Sequence, residues 1–301
     1  MVLWGNPGGD DTYFAKWNGS GFTTPLLINT GIDVFAASWA GPDIAAHGDT
    51  VYVVVKQSPE MTNFAYLYAS YNGGTSFGSA VQLDVNLADS ISRFPVVTTD
   101  DVGHPVVSYM KIGPAMDNAR WVVTRSNDFG ATFGIDVLAS NWSGGDVCDC
   151  CPGQIICEGN TVAMMYRDNA SNIRDMWCGI STDAGSSFDG GFGLDNPDWM
   201  LMMCPSSGPD GVIIGDTLHS VLMSGYTGDY LVYYSKTSLG SMGNDTVVPV
   251  TGMMAGMTTQ NFPRIFSDGS AVGIIWKQAI SGQDQLPLLF TNNISNGFPT
   301  Q

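Results

Sequence analysis

A period of about 55 residues runs the length of the chain and restricts it to architectures assembled from one repeated unit. Three segments carry it plainly: Ser70-Tyr71-Asn72-Gly73-Gly74-Thr75-Ser76-Phe77, Ser126-Asn127-Asp128-Phe129-Gly130-Ala131-Thr132-Phe133, and Ser181-Thr182-Asp183-Ala184-Gly185-Ser186-Ser187-Phe188. With the closing aromatic as a ruler, weaker copies end at Phe22, at Met242 (the stretch from Ser235) and at Phe298. These positions are separated by 55, 56, 55, 54 and 56 residues. Within each period, short apolar or alternating runs are bounded by Gly, Asn and Asp, which predicts strands joined by tight turns. In the fourth period, residues 153–157 predict an inner strand, 161–166 a second, and 175–181 a third that runs into the Ser-to-Phe turn.

Four antiparallel strands per period make one blade, so the expected fold is all-β, a six-bladed β-propeller occupying residues 1–301 as one domain. The turn segments resemble the Asp box (BNR repeat) of bacterial sialidases, S-x-D-x-G-x-T-F. That resemblance implies structural parts for Ser70, Phe77, Ser126, Asp128, Gly130, Phe133, Ser181, Asp183, Gly185 and Phe188, with each Asp binding its own turn backbone. The first period supplies a second, third and fourth strand but no innermost one, and the last supplies none after Phe298. Those deficits do not complete one shared blade. The expectation is therefore a piece of a longer polypeptide, or a partner chain that contributes strands.

Charge narrows the function. The chain carries 28 acidic against 11 basic residues, a formal charge of −17, which disfavours nucleic acid and anionic membrane surfaces as partners. No uninterrupted apolar run reaches the length of a spanning helix, so direct membrane insertion is not expected.

The cysteines are confined to residues 148–204: Cys148, Cys150, Cys151, Cys157, Cys178 and Cys204. Cys151 precedes Phe188 by 37 residues and Cys204 precedes Met242 by 38, so the two hold equivalent places in adjacent blades, at the start of the innermost strand. Cys148, Cys150, Cys151 and Cys204 are expected to meet near one mouth of the propeller channel. Cys148-Asp149-Cys150-Cys151-Pro152, Tyr166-Arg167-Asp168-Asn169, Ile173-Arg174-Asp175, Trp199 and Cys204-Pro205 together resemble a subgroup of secreted bacterial sialidase-like repeat proteins with a CDCCP signature. The resemblance implies an exported, extracellular or cell-surface bacterial protein without an assigned reaction. Two readings of the sulfurs stay open: disulfides, which suit an oxidising compartment, or a copper or zinc site supported by Met202 and Met203. Cys204 is expected to pair with one of Cys148, Cys150 or Cys151, and no other cofactor is expected.

Sialidases resemble one another in three arginines that clamp a carboxylate, a Tyr nucleophile activated by Glu, and an acidic Asp. Arg93-Phe94-Pro95 is similar to their Arg-Ile-Pro motif, and Arg93 and Arg264 both start inner strands. Arg167, Arg174, Asp149 and Asp168 are further ligand-binding candidates, although Arg167-Asp168 and Arg174-Asp175 also read as ion pairs that fix a hairpin. Only Glu60 and Glu158 are Glu, and neither is placed beside a late-blade Tyr. The leading expectation is a non-catalytic module that binds a glycan or cell-surface protein, within a larger extracellular assembly. The alternative is an exo-glycosidase of sialidase type.

Overall fold

The computed structural model describes residues 1–6, 8–88, 90–294 and 298, without the side chains of Asn244 and Asp245. The stretch after Phe298, where the sequence supplies no outer strand, lies outside the described residues. The elements are strands, and among the described residues no helix is long and apolar enough to cross a membrane. The chain forms two compact units. One comprises Met1–Ala139, Ile155–Met164 and Ile180–Asp189; the other comprises Ser140–Gln154, Met165–Gly179 and Gly190–Gln301.

Six antiparallel sheets succeed one another along the sequence as the blades of a six-bladed β-propeller fold. The first has three strands, β1 (Val2–Gly5), β2 (Thr12–Ala15) and β3 (Leu26–Leu27). The second is β4 (Asp43–His47), β5 (Thr50–Lys56), β6 (Ala65–Ser70) and β7 (Val81–Gln82). The third is β8 (Ile91–Thr99), β9 (Pro105–Ile112), β10 (Arg120–Arg125) and β11 (Val137–Leu138). In the fourth, β12 (Asp146–Val147) and β13 (Gln154–Glu158) both pair with β14 (Thr161–Asn169), followed by β15 (Met176–Ser181) and β16 (Gly190–Gly193). The fifth is β17 (Asp210–Ile214), β18 (Thr217–Ser224), β19 (Leu231–Ser238) and β20 (Gly243–Pro249). In the sixth, β21 (Met257–Ser267) pairs with β22 (Val272–Ile280), whose far side holds β23 (Gln283–Gln285) and β24 (Leu288–Thr291).

The second strand of a blade is apolar on both faces because each face is covered. Along β5, Val51, Val53 and Val55 pack with Phe14, Ile28 and Val34 of the first blade, while Tyr52 and Val54 pack with Val97 and Val107 of the third. The two-residue period of a strand thus divides one hydrophobic run between two cores. In the other unit, Val221, Val232 and Tyr234 of the fifth blade share a core with Val272, Ile274 and Trp276 of the sixth.

The three strong turn segments share one hydrogen-bond pattern. Ser70, Ser126 and Ser181 Oγ accept the amides of Gly74, Gly130 and Gly185 at 2.9, 2.8 and 2.8 Å. Asn72, Asp128 and Asp183 Oδ1 accept the amides of Ser76, Thr132 and Ser187 at 3.0, 2.8 and 2.8 Å. Hydroxyl and amide donors from Thr132 and Ser126 hold the Asp128 carboxyl down at about 2. Gly130 has φ 91°, and a Cβ there would stand 3.2 Å from Leu67 and 3.3 Å from Tyr52, so glycine answers both to backbone conformation and to space. Phe77 and Phe133 pack onto the preceding blade. The weak copies behave differently. Ser235 lies inside β19 and donates to Leu194 O at 2.8 Å instead of closing a turn, and the Phe22 and Met242 side chains are exposed.

Ser126→Ala leaves the Gly130 and Asp128 amides without their acceptor. It is expected to lower stability by about 1–3 kcal/mol, read from the denaturant midpoint at unchanged slope. Ser235→Ala is expected to cost less, since only Leu194 O loses a donor.

Candidate functional site

The innermost position of the fourth blade is split, and residues 148–153 leave the sheet between β12 and β13. Cys148 N–H bonds Arg167 O at 2.8 Å, and Cys151 N–H turns back onto Cys148 O at 3.3 Å. This turn brings the sulfurs of Cys148 and Cys151 to 2.9 Å and those of Cys148 and Cys150 to 3.5 Å. Cys150 forms a disulfide with Cys204, 54 residues away, with Cα atoms 6.2 Å apart. Closing a loop of that size stabilises the fold by about 4 kcal/mol on the chain-entropy account.

All four sulfurs lie within 4.8 Å of one another, but two are bonded to each other. A four-thiolate ligand set would therefore exist only after reduction of Cys150–Cys204. Met202 and Met203 are solvent-exposed.

Two buried guanidiniums border the cluster. Arg167, on β14, donates to the carbonyls of Arg174 at 2.6 Å, Met223 at 2.7 Å and Ser207 at 3.2 Å, and lies 5.2 Å from the Trp199 ring. Arg174 donates through Nε to Leu201 O at 3.3 Å and through Nη1 to Cys148 Sγ at 3.2 Å. The expected Arg167–Asp168 and Arg174–Asp175 ion pairs give way to this arrangement. Arg167 and Asp168 are adjacent along β14 and so point to opposite faces, while Arg174 and Asp175, just before β15, bond to different groups. Asp175 accepts the Asp198 and Trp199 amides at 3.1 and 3.0 Å.

Burial pushes the carboxyls of Asp168 and Asp175 upward. Cys148 moves the other way: the Cys151 thiol hydrogen-bonded to it, joined by the Arg167 and Arg174 charges, brings it down to about 7. Cys151, fully enclosed, is pushed well up. Burial also raises Cys157, to about 11, and Cys178.

The other unit holds a second buried polar group. Arg93 makes a two-pronged ion pair with Glu60, Nε–Oε1 at 2.8 Å and Nη2–Oε2 at 3.1 Å, and its guanidinium lies 4.4 Å from the Phe94 ring. Phe94 has φ 50° where the β8–β9 register shifts, a bulge that re-aims Arg93. Beside it Lys56 donates to Ser92 Oγ at 2.8 Å, and Ser92 in turn bonds Asp84. Burial pulls the Lys56 ammonium down to about 8.

The sequence reading missed Lys56, Asp84 and Asp195, although a signal was present. Asn29, Asp84 and Asp195 each follow a ruler aromatic by seven residues, and each accepts a third-strand amide, those of Thr12, Ala65 and Met176, at 2.7, 3.0 and 2.6 Å. Cys148 and Cys151 do stand at Cys-x-x-Cys spacing, against the expectation that the cysteine spacing does not match the Cys-x2-Cys pairs of structural zinc sites. Arg264 is exposed on β21, and Asp149 is half-buried between Cys148 and Cys150.

No protein-family model matches the chain, and no curated protein matches it in sequence. Solved structures do resemble it in fold. A Hadza microbial sialidase superposes over 92% of this chain with a TM-score of 0.60 at 14% identity, and a variant of the NanB sialidase from Streptococcus pneumoniae over 92% with a TM-score of 0.61 at 11% identity. A Penicillium chrysogenum alpha-L-arabinanase complexed with arabinobiose matches 86% of the chain with a TM-score of 0.56 at 12% identity. The chain spans 59% and 63% of the two sialidase chains and 79% of the arabinanase.

Arg167→Lys exchanges a planar fork for a single ammonium and strands buried carbonyls. It is expected to destabilise by roughly 2–5 kcal/mol, read from the denaturant midpoint. A second expectation concerns pH. Burial pushes the Asp195 carboxyl up to about 7, so the folded chain keeps a proton that the unfolded chain releases near pH 4. This group's contribution to stability is complete below about pH 4 and declines as pH rises toward 7. Asp195→Asn retains an acceptor for the Met176 amide. Melting curves should match wild type at pH 4 and show a gain over wild type at pH 8.

Proposed function

We propose that the chain is the propeller of an exported sialidase-like Asp-box protein that binds a glycan or cell-surface protein without hydrolysing it. The observation that carries this reading is the employment of the arginines. Arg93 is neutralised by Glu60, Arg167 is spent on three backbone carbonyls, and Arg174 on Leu201 O and Cys148. Arg120 bonds Asn118 O, and Arg125 bonds Ala184 O and Asn127. A carboxylate clamp needs guanidiniums whose donors are free to reach the ligand, and Arg264, which is exposed and whose charge acts on the buried Asp210 carboxyl, is the remaining candidate of the six. The fold is shared with glycan-acting propellers, and function resides in sites carried on folds. Export agrees with the Cys150–Cys204 disulfide, which suits an oxidising compartment. In this reading residues 1–301 are one propeller within a longer protein of the CDCCP subgroup, assembled with further domains or partners outside the cell.

One observation favours the alternative, an exo-glycosidase of sialidase type. Phe94 holds a left-handed conformation beside Arg93, and backbone strain of this kind gathers at functional sites. A fluorogenic sialoside and a glycan array separate the two. The expected result is array binding with sialoside turnover at the level of buffer. Turnover by the wild type that is lost in both Arg93→Lys and Arg264→Ala would overturn it.

A further inference from the structure

A structural staple between the loops at residues 148–153 and at Cys204 needs only two cysteines. This cluster has four, arranged asymmetrically. Cys150–Cys204 is the oxidised pair and its Cys204 end is exposed, whereas Cys148 and Cys151 are enclosed thiols 2.9 Å apart. Cys148 Sγ lies 3.5 Å from Cys150 Sγ, a van der Waals contact between a thiol and a disulfide sulfur. On its other side stands the Arg174 guanidinium at 3.2 Å, a nearly enclosed cation whose other hydrogen-bond acceptor among the described residues is the Leu201 carbonyl. A buried cation of this kind is best balanced by anions, and the groups that face it here are the Cys148 sulfur and the buried Asp168 carboxyl. The conditions for attack on a disulfide are a sulfur with thiolate character, contact with the sulfur attacked, and a leaving sulfur that water can stabilise. The cluster supplies the cation beside Cys148, the contact and the exposed leaving sulfur, and a shift of the loop brings Cys148 into line with the Cys150–Cys204 bond, since the four sulfurs now lie within 4.8 Å of one another.

We propose that these four cysteines form a dithiol–disulfide exchange centre in which the disulfide moves between Cys150–Cys204 and Cys148–Cys151, presenting Cys150 and Cys204 as thiols toward a partner disulfide. In the first step the Cys148 thiolate bonds to Cys150 Sγ, the Cys150–Cys204 bond breaks, and Cys204 leaves as a thiolate into water. In the second, Cys151 gives up its proton and bonds to Cys148, and Cys150 leaves as a thiolate. The proton that Cys151 loses ends on Cys204 or Cys150. No electrons enter or leave, and one disulfide exists throughout. The exposed dithiol then reduces an external disulfide RSSR to two RSH and closes again as Cys150–Cys204, leaving the chain with two disulfides.

Bulky maleimide labelling of the full chain at pH 8, without reductant, tests this in a Cys157→Ser background that removes the half-buried thiol outside the cluster. As the structure stands, Cys150 and Cys204 have no thiol to label and Cys148 and Cys151 are enclosed. The expected result is label on Cys204 and Cys150, mapped by mass spectrometry, with the rate at least about tenfold lower after Cys148→Ser. A wild-type chain that stays unlabelled at Cys204, or one labelled as fast after Cys148→Ser, overturns the proposal. If Cys148→Ser fails to fold, acid-quenched alkylation of the wild type decides. A Cys148–Cys151 or Cys148–Cys150 crosslink with free Cys204 supports exchange, and Cys150–Cys204 as the only crosslink overturns it. Four free sulfurs holding a stoichiometric metal in the native protein also overturn it.

Discussion

No blade of this protein can cover itself. A four-stranded sheet has two apolar faces here, and β5 shows the result: its odd-numbered valines belong to the core shared with the first blade, and Tyr52 and Val54 to the core shared with the third. Everything else answers to that two-sided burial. It forces the chain to repeat, since a lone blade would leave a hydrophobic face in water. It also leaves little room at blade contacts, which is why the turn glycines Gly74 and Gly130 face aromatic and aliphatic side chains at distances that admit no Cβ without displacement. The Ser-to-Phe turns then act as fasteners. Ser and Asp satisfy the turn amides locally, and the closing aromatic reaches the preceding blade.

Irregularity concentrates in the innermost strands, which form sheet edges and tolerate proline and bulges. Pro95, Pro152, Pro205 and Pro263 recur there at nearly the repeat spacing. The backbone turns left-handed at Phe94, Ser206 and Phe262, and in the fourth blade the strand opens altogether to release the cysteine loop. Arg167 serves backbone outside that loop: one planar group with five donors binds the carbonyls of Arg174, Ser207 and Met223, which come from three chain segments. Its buried charge in turn shapes the electrostatics around Cys148. Framework and the cysteine cluster are therefore linked through one side chain.

The number of blades, the place of each strong turn and the convergence of the cysteines on one repeat position could all be read from the amino-acid order. These follow from local pattern: hydrophobic runs, turn chemistry within eight residues, and a constant period. The three strands that the described residues place in the first sheet were legible for the same reason. The weak copies were legible as spacing but not as structure, since Ser235 keeps the period while sitting inside a strand. Which of Cys148, Cys150 and Cys151 reaches Cys204 is settled by the folded loop and not by residue order, because three sulfurs within four residues differ only in the direction their loop gives them. The tertiary structure also turned the arginines away from their neighbouring aspartates and toward backbone carbonyls. A carbonyl acceptor is offered by every residue, so the sequence carries no mark of which ones a buried guanidinium will meet; that is fixed when segments distant in the chain are brought together.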